Sequence, residues 1–285
     1  MKNNILNLAV EQMKSNNINE MFLKEPFFEK YSKVFCENKL FNKDIINEIQ
    51  KSFNINDVIH LSETLINKFK NKVKILSRID GKINIGLIIF IGDGKIDGNS
   101  IILNNLTYVF IDLNSIISRF DQNYDLDAFL AHELIHAVHY EINKEFYPEN
   151  YNLIEDKYLK RLIGEGVATY ISTFLFGIPE KLGYWLGLLG NDEISEWICN
   201  CESMKKDMGI NLKELVSNKK LDKSIYDKLF CVIKSEKFTS SRIGYYYGCE
   251  IIKKICDENS VNEVFRLKFN DIKKYINDYF NAKIM

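Results

Sequence analysis

Apolar residues in the first 70 positions recur every third or fourth residue. Met13, Met21 and Phe22 are followed by Phe27, Phe28, Tyr31, Val34 and Phe35. Ile45, Ile46, Ile49 and Phe53 come next, and then Val58, Leu61, Leu65, Ile66 and Phe69. That spacing predicts amphipathic helices with Asn and Lys on their polar faces. His60 falls within the last of these stripes and reads as a core or interface residue. The period shortens near residue 73. Stretches 73–79, 83–91, 100–103 and 107–113 are short and rich in β-branched and aromatic side chains, which predicts strands. Asp80-Gly81, Gly92-Asp93-Gly94 and Asp97-Gly98-Asn99 carry turn chemistry between them, and a hairpin turn is the plain account of the 92–99 region. Helical spacing returns over 125–143 and 154–176, and again from Pro179 to the end. The pattern therefore predicts an α+β fold, predominantly helical, with a small and mostly antiparallel sheet packed against the 125–143 helix. Three regions follow: a helical 1–70, a core over 71–178, and a helical lobe over 179–285 that completes a cleft.

The 125–143 helix holds the candidate chemistry, Ala131-His132-Glu133-Leu134-Ile135-His136-Ala137. Four residues of α-helix turn about 400° and rise about 6 Å, so His132 and His136 share a face one turn apart. Two neutral imidazoles at that spacing can hold one Zn²⁺ at about 2.0–2.1 Å each. Glu133 sits beside the first of them, placed to take a proton from a water without ligating the metal. Leu130, Leu134, Val138 and Ile142 carry an apolar face at i, i+4 spacing that can dock in a core. Only four His occur in 285 residues, and three of them fall within this helix. A surface helix with a metal-free His pair is the plain alternative.

Composition narrows the field. Hydrophobic residues are 46% and charged residues 27%, ordinary for a globular chain. The formal net charge is −1, which gives no electrostatic case for nucleic acid or an anionic membrane. No run of 18 apolar residues occurs, and Ile5–Val10 is too short for a secretory apolar region and lacks a cleavage site. The six Cys include no CxxC pair, so a zinc ribbon is disfavoured and reduced, buried thiols in a cytoplasmic protein are expected.

Two further segments matter. Gly164-Glu165-Gly166-Val167-Ala168 lies in the 154–176 helix, which stops at Gly177-Ile178-Pro179. Two glycines inside a helix cost about 1 kcal/mol each relative to Ala, so close packing or function accounts for them. Small neighbours would let this helix approach the 125–143 helix and bring Glu165 in to complete a metal site. Ser240-Ser241-Arg242-Ile243-Gly244-Tyr245-Tyr246-Tyr247-Gly248 opens a later helix, and its phenols either face a cleft or pack in a core. Three other motifs fail. The 92–98 glycines do not form GxGxxG before a helix, Lys95 and Asn104 stand where a calcium loop needs acidic oxygens, and His139 and Ile142 replace the Gly and His of the long metzincin motif. His139 lies about 10.5 Å along the helix from His132, so it supports the ligands or faces substrate instead of binding the same ion.

HELIH, then EGVA, then GYYYG resembles a family of zinc-dependent proteases of unknown function in the gluzincin (peptidase MA-like) clan. The resemblance spans about residues 85–260 in motif order. It implies a zincin-like core, one Zn²⁺ per chain held by His132, His136 and Glu165, Glu133 as general base, and Tyr245 donating to the oxyanion. Tyr246 and Tyr247 compete for that last role, and Arg242 could add charge to the oxyanion or bind a substrate carboxylate. The expected function is peptide-bond hydrolysis of a peptide or protein substrate by a zinc-activated water. The edge of the 98–113 strand pair could hold the substrate main chain. Two alternatives stand beside it: a regulatory, repressor-cleaving zinc peptidase, and a non-catalytic helical binding protein with a relic metal site.

Overall fold

The computed structural model of the protein describes residues 4–15, 18–35, 43–77, 83–118, 123–233 and 238–281. The chain divides into two compact units, residues 1–138 and 139–285.

The first unit is built on a sheet. It contains β1 (Ile5–Asn7), α1 (Leu8–Lys14), α2 (Ile18–Lys24), α3 (Pro26–Phe35), α4 (Lys43–Ser52) and α5 (Ile55–Leu76). Then come β2 (Ile85–Phe90), β3 (Gly98–Leu103), β4 (Leu106–Asp112), α6 (Leu113–Ile117) and α7 (Leu126–Ile142), whose last turn belongs to the second unit. Strand order is β1-β2-β4-β3. The predominantly helical α+β class holds, but the mostly antiparallel sheet does not. β1–β2 and β2–β4 pair in parallel, and only β3–β4 is antiparallel. Parallel neighbours need a long crossover, and the five helices between β1 and β2 provide it.

Four other expectations change. Residues 73–76, expected as a strand, complete α5, because Val58, Leu61, Leu65, Phe69, Val73 and Leu76 form one buried stripe at helical spacing. Residues 78–82, with Asp80-Gly81, lie outside the described residues. Ile5–Asn7 is a strand within the stretch expected to be all helix, and His60 is exposed. The hairpin turn is not in the 92–99 region. It is Asn104-Asn105, between the paired Leu103 and Leu106, with φ of 49° and 64°. Positive φ at both central residues is what a tight antiparallel hairpin needs, and Asn tolerates it. Asp97-Gly98-Asn99 is the entry to β3 instead of a turn. The 92–94 loop is held by Asp112, whose buried carboxylate accepts from the backbone N–H of Gly92, Gly94 and Asn114 at 2.7, 2.8 and 2.9 Å.

Side chains alternate across the sheet. Ile88, Phe90, Phe110 and Ile101 point to one face, where Phe27 and Tyr31 of α3 pack edge-on against Phe90 at 4.9 and 5.2 Å. Gly98 and Ser100 point to the other face, toward α7. A Cβ built on Gly98 would meet the Phe129 ring at 2.7 Å and Glu133 Cγ at 3.4 Å, and Ser100 Oγ donates to the Glu133 carbonyl at 3.5 Å. Asp125 caps α7, accepting from the N–H of Asp127 and Ala128, and Lys72 of α5 pairs with Asp127 at 2.7 Å.

The second unit is helical: α8 (Arg161–Phe176), α9 (Glu180–Trp185), α10 (Asn191–Ser217), α11 (Lys223–Phe230), α12 (Ile243–Cys256), α13 (Val261–Val264) and α14 (Phe269–Phe280). A single π turn, Asp156–Lys160, feeds α8, and Gly177 ends it at φ 66°, the left-handed cap expected of a helix stop. α8 and α12 cross at their glycines. A Cβ on Gly166 would fall 2.2 Å from the Gly248 carbonyl carbon, and one on Gly248 would fall 2.2 Å from the Leu162 carbonyl oxygen. Gly166 therefore admits α12. Gly164 does face α7, but loosely, 3.9 Å from the Tyr140 hydroxyl. Among the described residues, no helix is long and apolar enough to cross a membrane.

Candidate metal centre

One helix supplies two donors. His132 and His136 are 3% and 4% exposed, and their Nε2 atoms lie 3.1 Å apart with the rings nearly perpendicular. Two nitrogens bound to one tetrahedral zinc at 2.0–2.1 Å are separated by about 3.3 Å. The pair is thus close to the spacing that a shared ion requires. Glu165, on α8, is 8% exposed, and its carboxylate and the two imidazoles offer ligand atoms all within 4.8 Å of one another. Among the described residues no fourth His, Cys, Asp or Glu joins them. Two nitrogens and one carboxylate are ligand types that zinc takes. The donor set fits the metal.

Glu133 is also nearly buried, at 8% exposed, between the two ligand positions in sequence and behind β3. Gly98 matters here because any side chain would intrude on the Phe129 ring and the Phe110 carbonyl, with Glu133 at contact distance. His139 lies elsewhere. It is 1% exposed, with its ring 4.6 Å from Phe146 and 6.1 Å from Phe265, so it packs among aromatic side chains.

The three tyrosines separate cleanly. Tyr246 donates its hydroxyl to Glu202, and Tyr247 donates to the Cys201 carbonyl at 2.8 Å. Both are thereby committed to α10. Tyr245 carries the Arg242 guanidinium over its ring at 3.9 Å and couples electrostatically to Arg161.

Arg161 is a site residue that the sequence motifs do not single out. It lies one turn before Glu165, with its Nε 3.6 Å from Glu165 Oε1, and it donates to the Tyr226 hydroxyl. Burial would lower the Arg161 guanidinium, but Tyr226, Glu165 and Tyr245 more than offset this and hold it above its ordinary value. The guanidinium also stacks on the Phe230 ring at 4.8 Å. A signal for it does exist in the sequence: Arg and Glu at i, i+4 on a helix form a pair. Tyr226, 61 residues beyond Glu165 in sequence, carries no such signal.

Residues 10–283 match a family described as "Putative zinc dependent peptidase (DUF5700)". No curated protein and no solved structure matches the chain.

Proposed function

The chain belongs to the DUF5700 family, and from that premise we propose that it is a metallopeptidase that cleaves peptide bonds at the His132–His136–Glu165 centre. The observation that supports this reading is the convergence of two imidazole nitrogens and one carboxylate within 4.8 Å, with a second carboxylate, Glu133, adjacent to the first ligand. Zinc bound there would supply Lewis acidity, lowering the pKa of a water to about 7 and polarising the scissile carbonyl.

The chain's own groups do the rest. Glu133 takes a proton from the attacking water as its oxygen bonds to the carbonyl carbon. It then delivers that proton to the nitrogen as the C–N bond breaks. Tyr245 donates a hydrogen bond to the oxygen that becomes negative. Arg161, itself bonded to Tyr226, holds the Glu165 carboxylate in place, as partners of metal-ligating carboxylates do. β3 is a sheet edge on the α7 side, and its outward main-chain groups can take an extended peptide without regard to side-chain identity.

The test is metal content by elemental mass spectrometry on the purified chain beside Glu165→Ala and Glu133→Gln, with a peptide-pool digestion assay run on each. One zinc per chain is expected in wild type and in Glu133→Gln, with reduced zinc in Glu165→Ala. Turnover should fall by about 10²-fold or more in Glu133→Gln. A wild-type chain that takes up no zinc on reconstitution would end the reading, as would a fully active Glu133→Gln.

A further inference from the structure

We propose that Arg242 anchors an anionic subsite that binds a carboxylate of the substrate. Arg242 is 8% exposed, and its guanidinium lies over two aromatic rings, Tyr245 at 3.9 Å and Trp185 at 5.4 Å. Its buried Nε has no hydrogen-bond partner among the described residues, and no described carboxylate lies within ion-pair distance of it. A guanidinium stays charged at any physiological pH. Leaving such a charge buried and unpaired is unfavourable, so buried cations are normally paired.

The contrast with Arg161 sharpens the point. Arg161 is the internally satisfied arginine, ion-paired with Glu165 and hydrogen-bonded to Tyr226. Among the described residues, Arg242 has rings but no anion. Trp185 beside it holds a second buried donor, Nε1–H, without a partner among the described residues. Two unsatisfied donors on one aromatic patch call for an acceptor group, and the planar guanidinium fork matches a carboxylate. Aromatic faces stabilise the cation without consuming its N–H groups, which leaves them for a ligand.

The position agrees. Tyr245 carries Arg242 on its ring and couples to Arg161, which pairs with Glu165. The subsite therefore lies beside Tyr245, the proposed oxyanion donor. Two sources of carboxylate share this chemistry: the C-terminus of a short peptide, and an Asp or Glu side chain within a longer one. The proposal rests on the peptidase reading only for what the carboxylate is attached to.

The experiment uses the full-length Glu133→Gln chain, so that turnover does not intervene, with and without added zinc. Binding is read by tryptophan fluorescence, because the only two Trp, Trp185 and Trp197, lie together with rings 5.7 Å apart. Three probes are titrated: a pool of N-acetylated neutral tripeptides with free C-termini, the same pool amidated, and an amidated pool containing Glu. The free-acid pool should bind about tenfold more tightly than the neutral amides or better. Arg242→Gln should erase that difference, and Arg242→Lys should keep part of it. Tight binding by the Glu-containing amides would support the subsite and assign it to a side chain. Equal binding of the free-acid and both amidated pools, no binding by any, or discrimination that survives in Arg242→Gln would overturn it. Carboxylate discrimination in a chain that takes up no zinc would support the subsite while ending the peptidase reading, so the two failures are distinguishable.

Discussion

Gly166 and Gly248 meet backbone to backbone: a Cβ on the first would stand 2.2 Å from the carbonyl carbon of the second. The contact brings α12, with Tyr245 and Arg242, against α8, with Glu165 and Arg161. Neither helix can move aside locally, because the clashing atoms are main chain. Gly166→Ala should therefore destabilise the fold by about 1–3 kcal/mol or more, the cost of overpacking, despite the better helix propensity of Ala. Chemical denaturation measures it. A midpoint equal to wild type would show that the helices are not this close.

The three adjacent tyrosines should part company on removal of their hydroxyls. Tyr247→Phe abandons a buried carbonyl and should lower the thermal midpoint, at a cost of about 1–3 kcal/mol, while leaving turnover per folded molecule unchanged. Tyr245→Phe should do the reverse, lowering kcat by about 10²-fold with the midpoint little moved. Steady-state kinetics beside calorimetry decides. Full activity in Tyr245→Phe would transfer the oxyanion role to another donor.

Arg161 tests whether the metal carboxylate is held from behind. Arg161→Met keeps the stacking on Phe230 but removes the charge beside Glu165. Zinc affinity by chelator competition should drop about 10- to 100-fold, and Arg161→Lys should recover part of it. An unchanged affinity in Arg161→Met would leave the pair without a role at the metal.

Asp112 predicts a pH dependence of stability. Burial pushes its carboxyl from an ordinary 3.8 up to about 7, against the pull of the Gly92, Gly94 and Asn114 N–H groups. The folded state then holds the proton more tightly than the unfolded chain does. This group's contribution is full below about pH 4, falls as pH rises toward 7 and is constant above. Thermal midpoints taken from pH 4 to 8 should decline more steeply in wild type than in Asp112→Asn. Parallel profiles would contradict it.

The sequence exposes what is local. His132, Glu133 and His136 are legible because one turn of helix fixes their relation, and the Asp125-capped α7 is found within a residue at each end. Glu165 is legible for a partly mistaken reason: its flanking glycines do signal a close approach, but Gly166 serves α12. The sheet is harder, because pairing joins distant segments. Ile5-Leu6-Asn7 is too short for its period to show beside the apolar run that continues into α1. The hairpin turn hides in two asparagines while more conspicuous glycines stand at 92, 94 and 98. Arg242 is named by the sequence pattern, but its unpartnered Nε among the described residues shows only in three dimensions.

The π turn at 156–160 sets the phase of everything after it. Five residues occupy a wider loop of helix there, so the chain enters α8 one residue out of step with an uninterrupted α-helix. Tyr158, inside that turn, exchanges hydrogen bonds with both the carbonyl and the N–H of Asp222, the residue that caps α11. The extra residue acts as a spacer between two rotational settings. With it, Tyr158 reaches α11 while Arg161 and Glu165 point at their own neighbours. A chain shortened by one residue here would regain regular helix but advance one side-chain set by about 100° against the other, so helical continuity and a working constellation are mutually exclusive at this point.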